Sequence, residues 1–197
     1  MELTPEAEIR LRRIFKIFNH FMLALWRLGL AQYGNPTRLG GAVMVIKHKG
    51  RKTGLTHYAP VNYVDVGDEV YCTAGFGAKT HWYQNLLADP NVELWLPNGR
   101  WEGIAEDASE DENRVELLRS VLVASGFAGP LFGANPQRMT DAQIEALIGP
   151  YRLVRIRKIA PVTGPGGPGD LAWVWPLATF FLLGVLLRSR RQREPRT

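Results

Sequence analysis

Two short stretches of this chain hold residue types whose spacing could do chemistry. The first is His48-Lys49-Gly50-Arg51-Lys52-Thr53-Gly54, which packs four basic side chains and two glycines into seven positions directly behind the apolar run GGAVMVI. It is not a Walker phosphate loop, because the spacing G-x-x-x-x-G-K-[ST] is absent, and its glycines are too few for a dinucleotide fingerprint. The second is Thr73-Ala74-Gly75-Phe76-Gly77-Ala78-Lys79, ahead of a segment that contains Trp82 and Asn85. Small residues there let backbone approach a flat ligand closely. A helix start behind them presents N–H groups and a partial positive charge. The pair of motifs suits a planar ring with carbonyl oxygens that also carries a phosphate. The ring carbonyls would meet backbone N–H groups near Gly75 to Gly77, and the phosphate would meet Arg51 and Lys52. Each charge-assisted hydrogen bond of this kind contributes about 1.5–3 kcal/mol.

Strands and turns must position these motifs. From Gly40 to Asp107 the chain reads as short strands: AVMVIKH, then HYAPVNYVDV after the GRKTG turn, then EVYCTAG after VGD. Their length, β-branched content and turn residues favour a β-meander. KTHWYQNLLADP reads as a short helix with Thr80 as N-cap and Asp89-Pro90 at its end. VELWL and RWEGIAED form a further hairpin about Pro97, Asn98 and Gly99. Ser109-x-x-Glu112 is a capping-box pattern predicting a helix that runs to about Ala124 and stops at Gly126. GFAGPLFGANPQRM is an irregular apolar loop. Thr140-x-x-Gln143 opens another short helix that ends at Gly149, and YRLVRIRKI is a last strand. Strands in the middle with helices around them give an α+β or small-barrel arrangement.

The ends of the chain read differently. Residues 4–31 are predicted to be one long helix, with Thr4-Pro5 at its start. Leu11, Ile14, Phe15, Phe18, Met22 and Leu25 follow one apolar face. Arg10, Arg12, Arg13 and Lys16 cluster near its beginning, so the helix either packs across the domain, lies on a membrane surface, or does both. Arg27, which interrupts the apolar part, and the lack of a small-residue cleavage site argue against a secretory signal. GPGGPGD, residues 164–170, reads as a linker. Beyond it LAWVWPLATFFLLGVLL, residues 171–187, holds no charged residue and would reach roughly 25 Å as a helix, at the short end of what spans a bilayer. With Trp173 and Trp175 at one end and RSRRQREPR at the other, this segment is expected to be a membrane anchor. The organisation expected is an N-terminal amphipathic helix (1–39), a cofactor-binding domain (40–160), a linker (161–170) and an anchor with a basic tail (171–197).

Composition narrows the rest. A chain of 197 residues, 46% of them hydrophobic, buries one substantial core. Its net charge of +5 invites an anionic partner, but much of the excess sits at the two ends, which argues against nucleic acid. Cys72 is the only cysteine, lies in an apolar stretch and reads as a small core residue. The four histidines, His20, His48, His57 and His81, lack the companions of a zinc site, so no metal is expected.

The order GRKTG…APVNY…TAGFG…WYQNLLADPNVEL resembles the deazaflavin-dependent nitroreductase family, also called the F420H2-dependent quinone reductases, within the split β-barrel flavin-binding superfamily. The likeness covers roughly residues 19 to 107 and continues more weakly to 159. The resemblance implies an α+β fold, a split β-barrel with flanking helices, here with an added C-terminal hydrophobic helix. It implies hydride transfer from reduced coenzyme F420 to a quinone or nitro compound, with FMN as the alternative cofactor. Arg51, Lys52 and Thr53 match positions that hold the cofactor's phosphate and acidic tail. Ala59, Pro60 and Val61 match the strand that lines the ring. Ala74, Gly75, Phe76 and Gly77 match the loop at the ring's polar edge, Lys79 a further basic contact, and Trp82 and Asn85 residues that brace the loop. His57 stands where many relatives have arginine, and Gly75 where many have serine. Phe127, Phe132 and Tyr151 are candidates for the acceptor pocket. No side chain is assigned as a catalytic acid or base, since the cofactor supplies the hydride while the site orients and excludes water. The partners expected are a quinone or other small redox acceptor, a membrane through the C-terminal helix with the domain on its cytoplasmic side, and a second copy of the chain as a candidate. The alternative is a non-catalytic, membrane-tethered barrel that binds a flavin or similar ligand.

Overall fold

The apolar run at residues 43–46 is buried on both faces, and this explains why it lacks the alternation of a half-exposed strand. In the computed structural model, which describes residues 5–33, 41–126 and 135–193, this run is strand β1 (Val43–Lys49). It is followed by β2 (Thr56–Val66), β3 (Glu69–Ala74), β4 (Asn91–Leu96), β5 (Gly99–Asp107) and β6 (Arg152–Pro161). The strands close an antiparallel barrel in the order β1-β2-β3-β6-β5-β4. Helices α1 (Pro5–Arg27), α2 (His81–Ala88), α3 (Arg114–Ala124), α4 (Asp141–Ile148) and α5 (Val174–Arg193) surround it, the α+β arrangement expected.

Alternate residues of every strand fill the barrel. Met44 and Ile46 meet Val70, Cys72, Leu94 and Ile156 inside it. The outer face of β1 is covered instead by Trp26 at the end of α1, where Val45 packs with Trp95. On another side α3 and α4 lay Leu118, Val121, Ile144 and Ile148 over Tyr71 and Leu153. Cys72 is fully buried and burial pushes its thiol pKa up, which fits the core role read from its neighbours.

Glu93 ties three strands at the rim. It accepts from Lys47 Nζ at 2.7 Å, Arg100 Nε at 2.7 Å and Trp95 Nε1 at 2.9 Å. Burial raises its pKa, but the hydrogen bonds from Arg100, Lys47 and Trp95 outweigh this and leave it below the usual carboxylate value.

Helix α3 begins at Arg114 with Asn113 as N-cap, not at Ser109. Ser109 is buried, its hydroxyl donates to Asp107 Oδ1 at 2.6 Å, and it accepts from the Leu153 N–H at 3.1 Å, so it cannot cap. The Thr140 and Gln143 capping box does form, and it opens α4.

The Gly/Pro segment is not a loose linker. Arg100 Nη1 donates to the Gly164 carbonyl at 3.0 Å, and the N–H groups of Gly169 and Leu171 donate to the carbonyls of Trp26 and Arg27 at 2.9 and 2.8 Å. Arg27 and Asp170 form a two-pronged pair, Nε to Oδ1 at 3.0 Å and Nη2 to Oδ2 at 2.8 Å, and Trp175 Nε1 donates to the Leu28 carbonyl at 2.9 Å. The end of α1 and the start of α5 are therefore clamped together.

The C-terminal apolar run is helical only from Val174. Its uncharged part, to Leu187, is about 21 Å long, against a hydrocarbon core of about 30 Å. Among the described residues no helix is long and apolar enough to cross a membrane, so the membrane-spanning anchor is not supported.

Candidate functional site

The basic motif forms the β1–β2 hairpin turn. Gly50 N–H donates to the Leu55 carbonyl and Gly54 N–H to the Gly50 carbonyl, both at 2.8 Å. Gly50 has a steric reason: a Cβ there would lie 2.7 Å from His57 Nε2, because the His57 ring folds beneath the turn and stacks on His48 at 5.8 Å.

The second motif leaves the end of β3 as a tight loop, passes through a 3-10 turn at Gly77–Lys79 and enters α2. Gly77 has φ of +68°, and a Cβ there would lie 2.5 Å from the Pro150 carbonyl oxygen. The side of Gly75 is open apart from the Tyr151 ring, 3.8 Å from where a Cβ would be. Phe76 packs edge-to-face on Phe15 of α1 with centroids 5.6 Å apart.

Helix α2 joins the two motifs. His81, Gln84 and Asn85 fall on one of its faces and turn it toward the basic hairpin. Asn85 is buried, and its Oδ1 accepts from the Arg51 backbone N–H at 3.2 Å and from Arg51 Nη1 at 2.9 Å. Arg51 Nη2 also donates to Gln84 Oε1, and Gln84 Nε2 donates to the Ala78 carbonyl at 3.0 Å. One chain of hydrogen bonds thus runs from the turn through α2 to the glycine loop. The resemblance implied that Asn85 and Trp82 brace the glycine loop; Asn85 instead braces the basic turn through Arg51, and Trp82 packs on the barrel core. Arg51 is committed to α2, whereas Lys52 and Lys79 form no hydrogen bond or ion pair with the described residues. Gln84 escaped the sequence reading, although the i, i+3, i+4 polar stripe on α2 was a signal for it.

Of the other residues singled out, Ala59 and Val61 face the barrel interior and Pro60 alternates to its outer face opposite Val45. Thr53 accepts from the Leu55 N–H at 3.3 Å. Ala74 is buried at the end of β3. Tyr151 is brought beside the loop, while Phe127 and Phe132 lie outside the described residues.

Substitution of Arg51 tests the brace. Arg51→Ala leaves the Asn85 amide and Gln84 without their charged donor and is expected to destabilise the fold by about 1–2 kcal/mol. A double-mutant cycle with Asn85→Ala should be clearly non-additive; additive losses would show that the contact carries no energy.

Titration of His48 gives a pH signature. Burial holds the His48 imidazole below its ordinary 6.5; the Lys49 carbonyl opposes this, and the charge of His57 adds to it. The folded pKa is therefore the lower one, and the unfolded chain binds more protons between the two values. The contribution of neutral His48 is complete above about pH 6.5 and is lost as pH falls through the folded pKa. The urea midpoint should fall below pH 6.5 by more in the wild type than in His48→Gln; parallel curves would refute the assignment.

The donor set fits a polyanionic ligand with a flat head. Two unengaged lysines flank the turn and the loop. The buried hydroxyls of Thr73 and Thr80, at the two ends of the loop, have no hydrogen-bond partner among the described residues, and between them the side of Gly75 meets only the Tyr151 ring. Among the described residues no group of histidine, cysteine and carboxylate side chains could hold a metal ion.

A family model described as F420H(2)-dependent quinone reductase matches residues 27–142, more than half of the chain. No curated protein sequence matches it. Among solved structures, an F420-H2 dependent reductase is similar at 16% identity over 58% of this chain and 93% of its own, with a TM-score of 0.41. A conserved hypothetical protein from Mycobacterium tuberculosis is similar at 20% identity over 71% and 89%, with a TM-score of 0.41. The heme storage protein HutZ from Vibrio cholerae is similar at 13% identity over 72% and 92%, with a TM-score of 0.41.

Proposed function

The chain belongs to the F420H(2)-dependent quinone reductase family, and from that premise we propose that its barrel brings F420H2 and a quinone together beside the basic turn and the glycine loop. It is an oxidoreductase that uses coenzyme F420. The observation that carries the site assignment is the joining of the two motifs by α2, which leaves Lys52 and Lys79 unengaged on either side of an open stretch of backbone.

The coenzyme, when bound, supplies the hydride. Lys52 and Lys79 hold its phosphate and acidic tail, Arg51 fixes the turn that carries Lys52, and Thr53 lies beside them. Backbone N–H groups of Gly75 to Gly77 meet the polar edge of the ring. The hydroxyls of Thr73 and Thr80 are available to the same edge. Tyr151 bounds the acceptor side of the loop, with Phe127 and Phe132 as further acceptor-side candidates. The site's contribution is orientation and exclusion of water, and no side chain is required as acid or base. A quinone that takes up the hydride and one proton leaves as the hydroquinone. Nitro compounds are the second acceptor class. We place the protein at a membrane, with the barrel on the cytoplasmic side, because a lipid-soluble quinone is concentrated there.

The test is a pair of measurements on the purified chain. Oxidised F420 should bind and FMN should compete poorly, and F420H2 should be oxidised when a naphthoquinone is added. Binding without oxidation by quinones would overturn the acceptor assignment. Absence of F420 binding would overturn the site.

A further inference from the structure

Most of the large apolar side chains exposed among the described residues lie on α1 and α5. On α1 they include Ile14, Ile17 and Phe21, and on α5 Phe180 and Phe181 are 73% and 72% exposed. Between Leu177 and Leu187 helix α5 is uncharged and, apart from Ala178, exposed, and Thr179 is its one polar side chain, a pattern that belongs to a covered helix. It is too short to cross a bilayer, so a different cover is needed.

Charge selects the cover. From residue 10 to residue 27, α1 carries Arg10, Arg12, Arg13, Lys16 and Arg27 and no carboxylate, and α5 ends in arginines at 188, 190, 191 and 193 with no carboxylate along its length. Apart from Arg27, which Asp170 neutralises, these charges would repel a second copy presenting the same helices. They would attract anionic headgroups. Trp173 and Trp175, at the start of α5, are exposed and suit the boundary between headgroups and hydrocarbon.

We propose that α1 and α5, locked end to end by the Arg27–Asp170 pair, form one surface that docks on an anionic lipid bilayer. The apolar part of α5 lies within the near leaflet, and the basic side chains of both helices lie among the phosphates. Because Phe15 of α1 touches Phe76 of the glycine loop, the docked surface adjoins that loop. The inference rests on the placement of the protein at a membrane and is independent of the hydride chemistry.

The test is co-sedimentation of the full chain with vesicles of phosphatidylcholine alone or with one quarter phosphatidylglycerol. The wild type should partition at least about tenfold better onto the anionic vesicles, and added salt should erase that advantage. Arg13→Ala with Lys16→Ala should reduce anionic-vesicle binding by about fivefold per charge. Phe180→Ser with Phe181→Ser should abolish binding to both vesicles. Asp170→Asn should weaken binding about tenfold, since the helices then engage separately. No vesicle binding by the wild type overturns the proposal, as does equal, salt-independent binding to both compositions. Concentration-dependent self-association that the Phe180 and Phe181 changes remove, without vesicle binding, assigns the surface to a second copy and also overturns it. An Asp170→Asn variant that binds like wild type overturns the joint surface. Oxidation of F420H2 by a water-soluble quinone should be the same in all three variants, so failure here is distinguishable from failure of the enzymatic reading.

Discussion

Replacing Lys52 and Lys79 together by alanine is expected to weaken F420 binding by about two to four orders of magnitude and to leave the urea midpoint unchanged. The cations of the two motifs differ in what they do in the free protein. Arg51 is held by Asn85 and Gln84, so removing it disturbs the fold. Lys52 and Lys79 hold nothing among the described residues, so removing them costs only what they give to the ligand. Two charge-assisted bonds of about 1.5–3 kcal/mol each set the range. The wild-type affinity should also fall with salt, and the double variant should lose that dependence. A loss of less than tenfold in a titration of the double variant would show that the anionic tail binds elsewhere.

The second large effect is on the glycine loop. Gly77→Ala is expected to destabilise the chain by about 2–5 kcal/mol and to abolish cofactor binding. Two costs add: a left-handed backbone for a residue with a Cβ, of about 1–2 kcal/mol, and overpacking of about 1–3 kcal/mol against the Pro150 carbonyl, which is backbone and cannot swing away. Gly54 provides the control, because its φ is +67° but nothing lies within 4 Å of a Cβ there. Gly54→Ala should therefore show only the first cost. Gly75→Ala, with negative φ and ordinary contact to Tyr151, should fold normally and report on ring access alone. If Gly77→Ala and Gly54→Ala melted together, the loop would not be pinned against residues 149–151.

What could be read along the chain was what short-range physics decides. The strands around the GRKTG turn were legible because a continuous apolar run, a glycine turn and a β-branched return need no distant partner to be recognised. The start of α3 was misread because Ser109 has two uses for one hydroxyl. Asp107, two residues earlier, and Leu153, far away in the chain, take it into the barrel rim, and the helix begins only at Arg114. The Gly/Pro segment looked like a spacer for the same reason that it is not one. Glycine backbone at Gly167 permits Arg100 to approach where a Cβ would come within 2.6 Å of its side chain. The length of the C-terminal apolar run was visible, but not that its first residues would be used in turns and its arginines drawn into the helix. At the site, the two motifs were legible from residue types and spacing, and Asn85 was marked out by the resemblance. The use of Arg51 as a brace was not, since its partner Gln84 lies on an element that only the closed fold brings near.

Closure of the barrel also sets the order in which the chain can mature. Strands β1, β2 and β3 pair as successive hairpins, so they can form as soon as they are made. The free edge of β3, however, pairs only with β6, as in Ala74 with Arg152. At ordinary synthesis rates β6 emerges about 4–16 s later. Throughout that interval the nascent chain presents an unpaired edge, and the late, non-local β3–β6 contact makes barrel closure the slow step of folding. The glycine loop leaves this same edge of β3, and the Pro150 carbonyl that seats it arrives just ahead of β6. The seated glycine loop is therefore among the last parts of the molecule to form, and a chain cut short before residue 150 has both motifs but lacks the carbonyl that seats the second.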